Sequence, residues 1–162
     1  MDRGTFVSRA EAERTTVYQL LDRYGREVTP AKASAERERL RIALLQRHLG
    51  PTYLANLTSR QIAAYRDSRL ALGRAGATVV KELNTLSHAI DTAGREWGIF
   101  LPQNPVKLVK HPKTAPGRDR RLDAIEMTKL LEACGRSRSA ALTNIVQLAI
   151  ETAMRPVVCV PP

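Results

Sequence analysis

The residues best suited to chemistry in this chain are basic, and they concentrate in one stretch. Residues 103–121 hold six lysines and arginines against one acidic residue, Asp119, which leaves a net +5 of the formal charge of +10. The six are Lys107, Lys110, Lys113, Arg118, Arg120 and Arg121. Extended basic side chains can follow a phosphate backbone, so this stretch predicts a polyanionic partner, most often nucleic acid. A basic surface that only keeps the protein dissolved is the alternative.

Other kinds of chemistry find little support in the sequence. Cys134 and Cys159 form no C-x-x-C pair, and the three histidines lack the spacing of metal ligands. We therefore expect no metal, no other cofactor and no small-molecule ligand. Residues 1–14 are polar and charged, and no apolar run reaches the length of about 18 residues that a membrane span needs. These features predict a soluble, cytoplasmic protein with no membrane partner.

Two amphipathic helices are predicted in the first 50 residues. The first has an apolar face from Val17 to Val28, with spacings of three and four residues, and ends at Pro30. The second begins near Ser34, carries carboxylates in its first turn and stops at Gly50–Pro51.

Two further helices are predicted before residue 100. The third opens with the capping box Thr58-Ser59-Arg60-Gln61 and closes at Gly73. The fourth carries an apolar stripe from Val79 to Trp97, and Gly98 ends it. Four amphipathic helices with short loops predict a mainly α protein built on a small helical bundle.

A new segment is predicted after the basic stretch, which its prolines keep from being a helix or a buried strand. Asp123 can cap a helix with Glu126 at the third position, and Cys134 is expected to be a small buried side chain there. The last helix, about residues 139–152, is apolar on most sides. We expect its burial partners to be elements that lie further along in a complete domain.

Specific runs in these elements resemble the tyrosine recombinase (phage-type integrase) family. They occur in the family's order between residues 62 and 155. The runs are I-A-A-Y-R-D-S-R-L (62–70), A-T-V-V-K-E-L-N-T-L-S-H-A (77–89), R-E-W-G-I (95–99), N-P-V-K-L-V-K-H-P-K (104–113), G-R-D-R-R-L (117–122) and E-T-A-M-R (151–155).

The resemblance implies an architecture and a partner. Residues 1–14 would be an N-terminal extension, and 15–101 a core-binding domain, a four-helix (SAM-like) bundle that clamps DNA. Residues 102–121 would be the basic interdomain linker, and 122–162 the start of the catalytic domain. Double-stranded DNA is the implied partner, and other recombinase protomers are further candidates.

The resemblance also implies a chemistry. In this family a tyrosine attacks a DNA phosphodiester without a metal or nucleotide cofactor, and arginines stabilise the phosphate in the transition state. Arg155 matches the first arginine of the motif T-G-x-R-x-x-E, with Ala153 in place of glycine. The rest of that motif is absent, and all four tyrosines precede residue 66. We therefore expect a truncated catalytic domain, as after a frameshift or a premature stop, and no strand cleavage by this chain.

The resemblance places four bundle residues on helix faces near DNA, besides the linker cations. They are Arg60, Arg66, Arg69 and Lys81. For each of them an ordinary surface charge is the alternative. A non-catalytic regulator that competes for a recombination site and a non-functional gene remnant are alternatives for the whole chain.

Overall fold

The computed structural model describes residues 10–117, 120–139 and 141–153, and these are mainly α-helical, as predicted. They divide into two compact units, with the boundary between Pro116 and Gly117. The described residues contain seven α-helices: α1 (Ala10–Arg14), α2 (Val17–Glu27), α3 (Ala35–Leu49), α4 (Ser59–Ala71), α5 (Gly76–Glu96), α6 (Ala124–Gly135) and α7 (Leu142–Thr152). Short 3-10 helices cover Thr29–Ala31, Leu54–Asn56 and Pro105–Leu108. None of the described helices is long and apolar enough to cross a membrane.

The core of the first unit is built around α5. This helix packs against α2, α3 and α4, and α2 also packs against α3. Leu20 and Leu21 of α2 and Leu83 and Leu86 of α5 are at most 1% exposed. Burial of each such leucine stabilises the fold by about 1.5–3 kcal/mol. Helices α2 to α5 occupy the four predicted places, and α1, with its buried Ala12, is an addition that the sequence did not predict.

Local signals set the helix ends where the sequence places them. In the capping box of α4 the Thr58 amide donates to Gln61 Oε1 at 2.9 Å, and the Gln61 amide donates to Thr58 Oγ1 at 3.3 Å. Gly73 and Gly98 follow α4 and α5 with φ of 73° and 68°. Only glycine adopts such angles without strain, so both residues end their helices.

Part of the basic stretch is helical, which corrects the prediction that its prolines exclude a helix. Pro105–Leu108 is a 3-10 helix that packs on α4 and α5, and Val106 is only 1% exposed. Val109 is also buried. Apolar side chains three residues apart fall on one side of a 3-10 turn, so they hold this part of the stretch on the core. From Lys110 to Gly117 the chain has no regular secondary structure.

In the second unit, α6 and α7 pack against each other. The predicted capping box of α6 is present, because the Glu126 amide donates to Asp123 Oδ1 at 2.7 Å. Cys134 is buried, as expected. No residue of α7 is fully buried, and Leu148 is 44% exposed.

A buried ion pair joins α4 to α5. Arg69 donates from Nη2 to Glu82 Oε1 at 2.8 Å and from Nε to Oε2 at 3.1 Å, and the Tyr65 hydroxyl donates to Oε2 at 2.7 Å. Burial alone would raise the pKa of Glu82, but the bonds from Arg69 and Tyr65 outweigh it and lower that pKa. Burial and the neighbouring carboxylate raise the pKa of Tyr65. A charged Glu82 and a neutral phenol therefore hold the two helices together.

Replacing Glu82 tests this joint. Glu82→Gln leaves the buried guanidinium of Arg69 without its counter-charge, and breaking a buried pair in this way costs about 3–5 kcal/mol. Urea unfolding at neutral pH measures the loss. Glu27→Gln is the matched control, since its pair with Arg23 is exposed and such pairs contribute about 0–1 kcal/mol. Equal losses in the two variants would contradict the role of Glu82.

The same pair makes stability depend on acid. The pKa of Glu82 in the folded protein lies below its ordinary value of 4.5. The stabilisation is therefore fully present above pH 4.5 and is lost as the pH falls through the folded pKa, because the unfolded chain binds the proton first. We expect the free energy of unfolding to fall more steeply below pH 4.5 in the wild type than in Glu82→Gln. Parallel slopes in urea titrations at several acidic pH values would refute this.

Candidate nucleic-acid interface

A basic groove lies between α3 and α5, and we call it the α3–α5 groove. It is open to solvent, has a volume of about 230 Å³ and contains three cationic side chains against one carboxylate. Its lining consists of Lys32, Glu38, Arg41, Lys81, Asn84, Thr85 and His88. The four α5 residues follow the spacing i, i+3, i+4, i+7, so they share one face of that helix. The groove therefore combines positive charge with polar groups along one helix.

The carboxylate of the groove is already neutralised. Glu38 is buried and accepts hydrogen bonds from Lys32 Nζ at 3.0 Å and from Thr29 Oγ1 at 2.9 Å. Burial alone would lower the pKa of Lys32, but its bonds to Tyr24 and Glu38 raise it. Because Lys32 and Glu38 offset each other, the excess positive charge of the groove comes from Arg41 and Lys81.

The chain at residues 110–113, which we call the linker run, is held against the start of α5. Arg66 donates from Nη1 to the carbonyl oxygen of Lys110 at 2.7 Å. The carbonyl of Lys113 lies so close to Gly76 that a side chain there would overlap it. Lys110, Lys113 and the intervening His111 are exposed. The linker run therefore presents two lysines from a backbone that the bundle holds in place.

Asn104 fastens the chain just before the linker run. Its amide nitrogen donates to Asp91 Oδ1 at 2.9 Å and to the Ser87 carbonyl at 3.0 Å, and its oxygen accepts from the Val106 amide at 3.0 Å. Lys107 pairs with Asp91 at 2.8 Å but keeps 61% of its side chain exposed. Burial would raise the pKa of Asp91, but hydrogen bonds from Lys107 and Asn104 lower it. Lys107 thus helps to hold the chain in place and still faces solvent.

The structure separates the four bundle residues that were assigned to DNA. Arg60 and Lys81 are exposed. Arg66 is partly buried, and its other guanidinium nitrogens bond to Asp67. The prediction that Arg69 contacts DNA is wrong. Arg69 is 7% exposed and both hydrogen bonds of its guanidinium go to Glu82, so this group is not available to a phosphate.

The basic residues of the second unit differ in their surroundings. Arg120 forms an ion pair with Glu126, and Arg121 is exposed. Arg118 and Arg155 lie outside the described residues.

Six of the seven lining residues of the groove, all but Lys81, were not assigned a site role from the sequence. Asn84 and His88 share the face of Lys81, and their spacing of three and seven residues from it is a signal that the sequence does carry. Arg41 comes from α3 and reaches Thr85 of α5 at 3.5 Å. No local pattern predicts that contact, because it depends on how two separate helices pack.

Two curated proteins are similar to this chain. A shufflon-specific DNA recombinase from Escherichia coli is 39% identical over 145 residues, which cover 83% of this chain and 37% of that protein. A Haemophilus influenzae protein with the provisional name integrase/recombinase is 30% identical over 150 residues, 86% of this chain and 40% of that protein. The chain thus spans about two fifths of the length of these relatives. No protein-family model and no solved structure matches it.

The contact between Gly76 and the linker run can be tested by substitution. Gly76→Ala should displace the chain at Lys113, because the new methyl group would overlap its carbonyl. We expect trypsin to cut after Lys110 and Lys113 several-fold faster than in the wild type. Gly94→Ala is the matched control in the same helix, since its methyl group would lie at an ordinary 3.8 Å from the Ile99 carbonyl. Unchanged cleavage in Gly76→Ala would show that the linker run is not held there.

Proposed function

Because this chain belongs to the tyrosine recombinase and integrase family, we propose that it binds double-stranded DNA as the N-terminal portion of a site-specific recombinase. The observation that carries this proposal is the α3–α5 groove, where three cationic side chains face one carboxylate. The names of both relatives refer to recombination or integration, which are reactions of DNA. The net charge of +10 supports the same partner.

We assign the phosphate contacts to two surfaces. The first is the α3–α5 groove with Arg41 and Lys81, and the second is the linker run with Lys110 and Lys113. Both lie along the N-terminal half of α5. Gly76, which touches the linker run, is five residues before Lys81, or about 7.5 Å along the helix axis. Five residues also turn an α-helix by about 140°, so the two surfaces lie on different sides of α5, and we propose that they contact different phosphates.

The assignment extends to the parts of the chain. Residues 15–101 are proposed as the core-binding domain and 102–121 as the linker. The burial of Val106 and Val109 supports a linker whose first half rests on that domain. Residues 122–162 are proposed as the start of the catalytic domain, with Arg155 as the first arginine of the family's catalytic motif.

We further propose that the part of the chain that the structure describes binds DNA without cleaving it. A nucleophilic tyrosine must reach the scissile phosphate. Tyr24 and Tyr65 are 0% and 4% exposed, and their hydroxyls are engaged by neighbouring side chains. Tyr18 and Tyr53 are exposed, but neither lines the α3–α5 groove.

Salt dependence of duplex binding tests the proposal. Each phosphate contact adds about 0.9 to the slope of log affinity against log salt concentration. We expect Lys81→Ala, Arg41→Ala and Lys110→Ala each to reduce the measured slope by about that amount, because each removes one phosphate contact. Fluorescence anisotropy with a labelled duplex at several salt concentrations gives the slopes.

Arg26→Ala is the matched control for these variants. It removes the same charge from an exposed site beside Trp97, away from the groove and the linker run. If it reduced the slope as much as Lys81→Ala, net charge rather than the proposed surfaces would explain binding. A wild-type chain that binds no duplex would refute the proposed function.

A further inference from the structure

We infer that Tyr24 and Lys32 hold His88 in the tautomer with its proton on Nε2, and that this Nε2–H group reads a hydrogen-bond acceptor on a base edge of DNA. This inference rests on the proposed function and adds a specificity-determining residue to it. Two linked contacts, which join α2 to α5 and to the segment that precedes α3, carry it.

The contacts form a chain with a fixed direction. Lys32 Nζ lies 2.6 Å from the Tyr24 hydroxyl, and that hydroxyl lies 2.6 Å from His88 Nδ1. An ammonium group only donates, so the Tyr24 oxygen accepts from Lys32. The phenol keeps one proton that it can donate, and we assign this donation to His88 Nδ1 as the acceptor. That assignment places the ring proton on Nε2.

The protonation states of the partners support this direction. Burial is the main reason that the pKa of Tyr24 is raised, so the phenol keeps its proton at neutral pH. The raised pKa of Lys32 keeps the ammonium charged. Tyr24 is 0% exposed and is packed in the core, which fixes its position, whereas His88 is exposed. A ring whose Nδ1 points to the core presents its opposite edge to the groove.

The neighbours of His88 indicate a base edge rather than a phosphate. Arg41 and Lys81 already supply the excess positive charge of the groove, so a phosphate has charged partners there without His88. Nε2 forms no hydrogen bond with any residue that the structure describes, and neither does the exposed amide of Asn84, four residues earlier on α5. The major groove admits an α-helix and displays acceptors such as purine N7 and guanine O6. Two neutral donors flanked by cations fit such a surface.

The state of the ring can be measured on the free protein. Long-range proton–nitrogen correlation spectra of the full chain should show His88 with an unprotonated Nδ1 and a protonated Nε2, without tautomer averaging. Tyr24→Phe should bring the averaging of a free imidazole, while Tyr18→Phe, on the same helix with an exposed hydroxyl, should not. Averaged signals in the wild type, or no change in Tyr24→Phe, would overturn the inference. Urea unfolding of Tyr24→Phe confirms that the variant is folded.

The base contact is tested with a randomised duplex pool. The wild type should enrich a preferred base pair at one position, and His88→Asn and Tyr24→Phe should reduce that preference about fivefold or more. His88→Gln, which carries an amide near the place of Nε2, should retain part of it. The salt slope should stay unchanged in all three variants, whereas Lys81→Ala should lower it by about 0.9. Preference unaffected by these variants, or a lowered slope in His88→Asn, would overturn the base contact.

These outcomes separate the two proposals. Duplex binding by the wild type with a base preference that does not depend on His88 would overturn this inference and leave the proposed function standing. A wild type that binds no duplex would refute the proposed function, and the base-reading role would fall with it.

Discussion

Burial of α5 is the constraint on which the first unit depends. Nine residues of this helix are buried, and it packs against α2, α3, α4 and the 3-10 helix at 105–108. One of the nine is Glu82, and a buried carboxylate costs several kcal/mol unless it is paired. Arg69 and Tyr65 of α4 supply the pairing. The position of α4 on α5 is thus fixed by an electrostatic need as well as by apolar packing.

The fold divides its positive charges into two kinds. Arg69 is buried in its ion pair with Glu82, and Arg66 and Lys107 hold the chain around residues 104–110 on the bundle. The side chains of Lys81 and Lys110 have no such structural role and face solvent. Charged residues with a structural role thus position the solvent-exposed ones. Arg66, for example, fixes the backbone that carries Lys110.

In the polar network behind the groove, too, structural contacts position a side chain that is exposed to solvent. Glu38 neutralises Lys32, and Lys32 in turn fixes the direction of the hydrogen bond between Tyr24 and His88. A buried polar group that lacked a partner would destabilise the core, so every member of this network has one. The network ends at a ring nitrogen on the surface, where a ligand can use it.

The local secondary structure could be predicted from the sequence alone. The four helices of the bundle, the capping boxes at Thr58 and Asp123 and the glycine stops at Gly73 and Gly98 all follow from neighbours within a few residues, and the structure has them. The family resemblance was also readable, since it rests on ordered runs of residues. Only the tertiary structure decided which charged side chains are exposed to solvent and which are buried in ion pairs. Arg69 and Lys81 look alike in sequence, yet one is buried against Glu82 and the other is exposed. Helical periodicity tells which residues share a face, but the partner across the interface comes from a distant part of the chain, and only packing brings the two together.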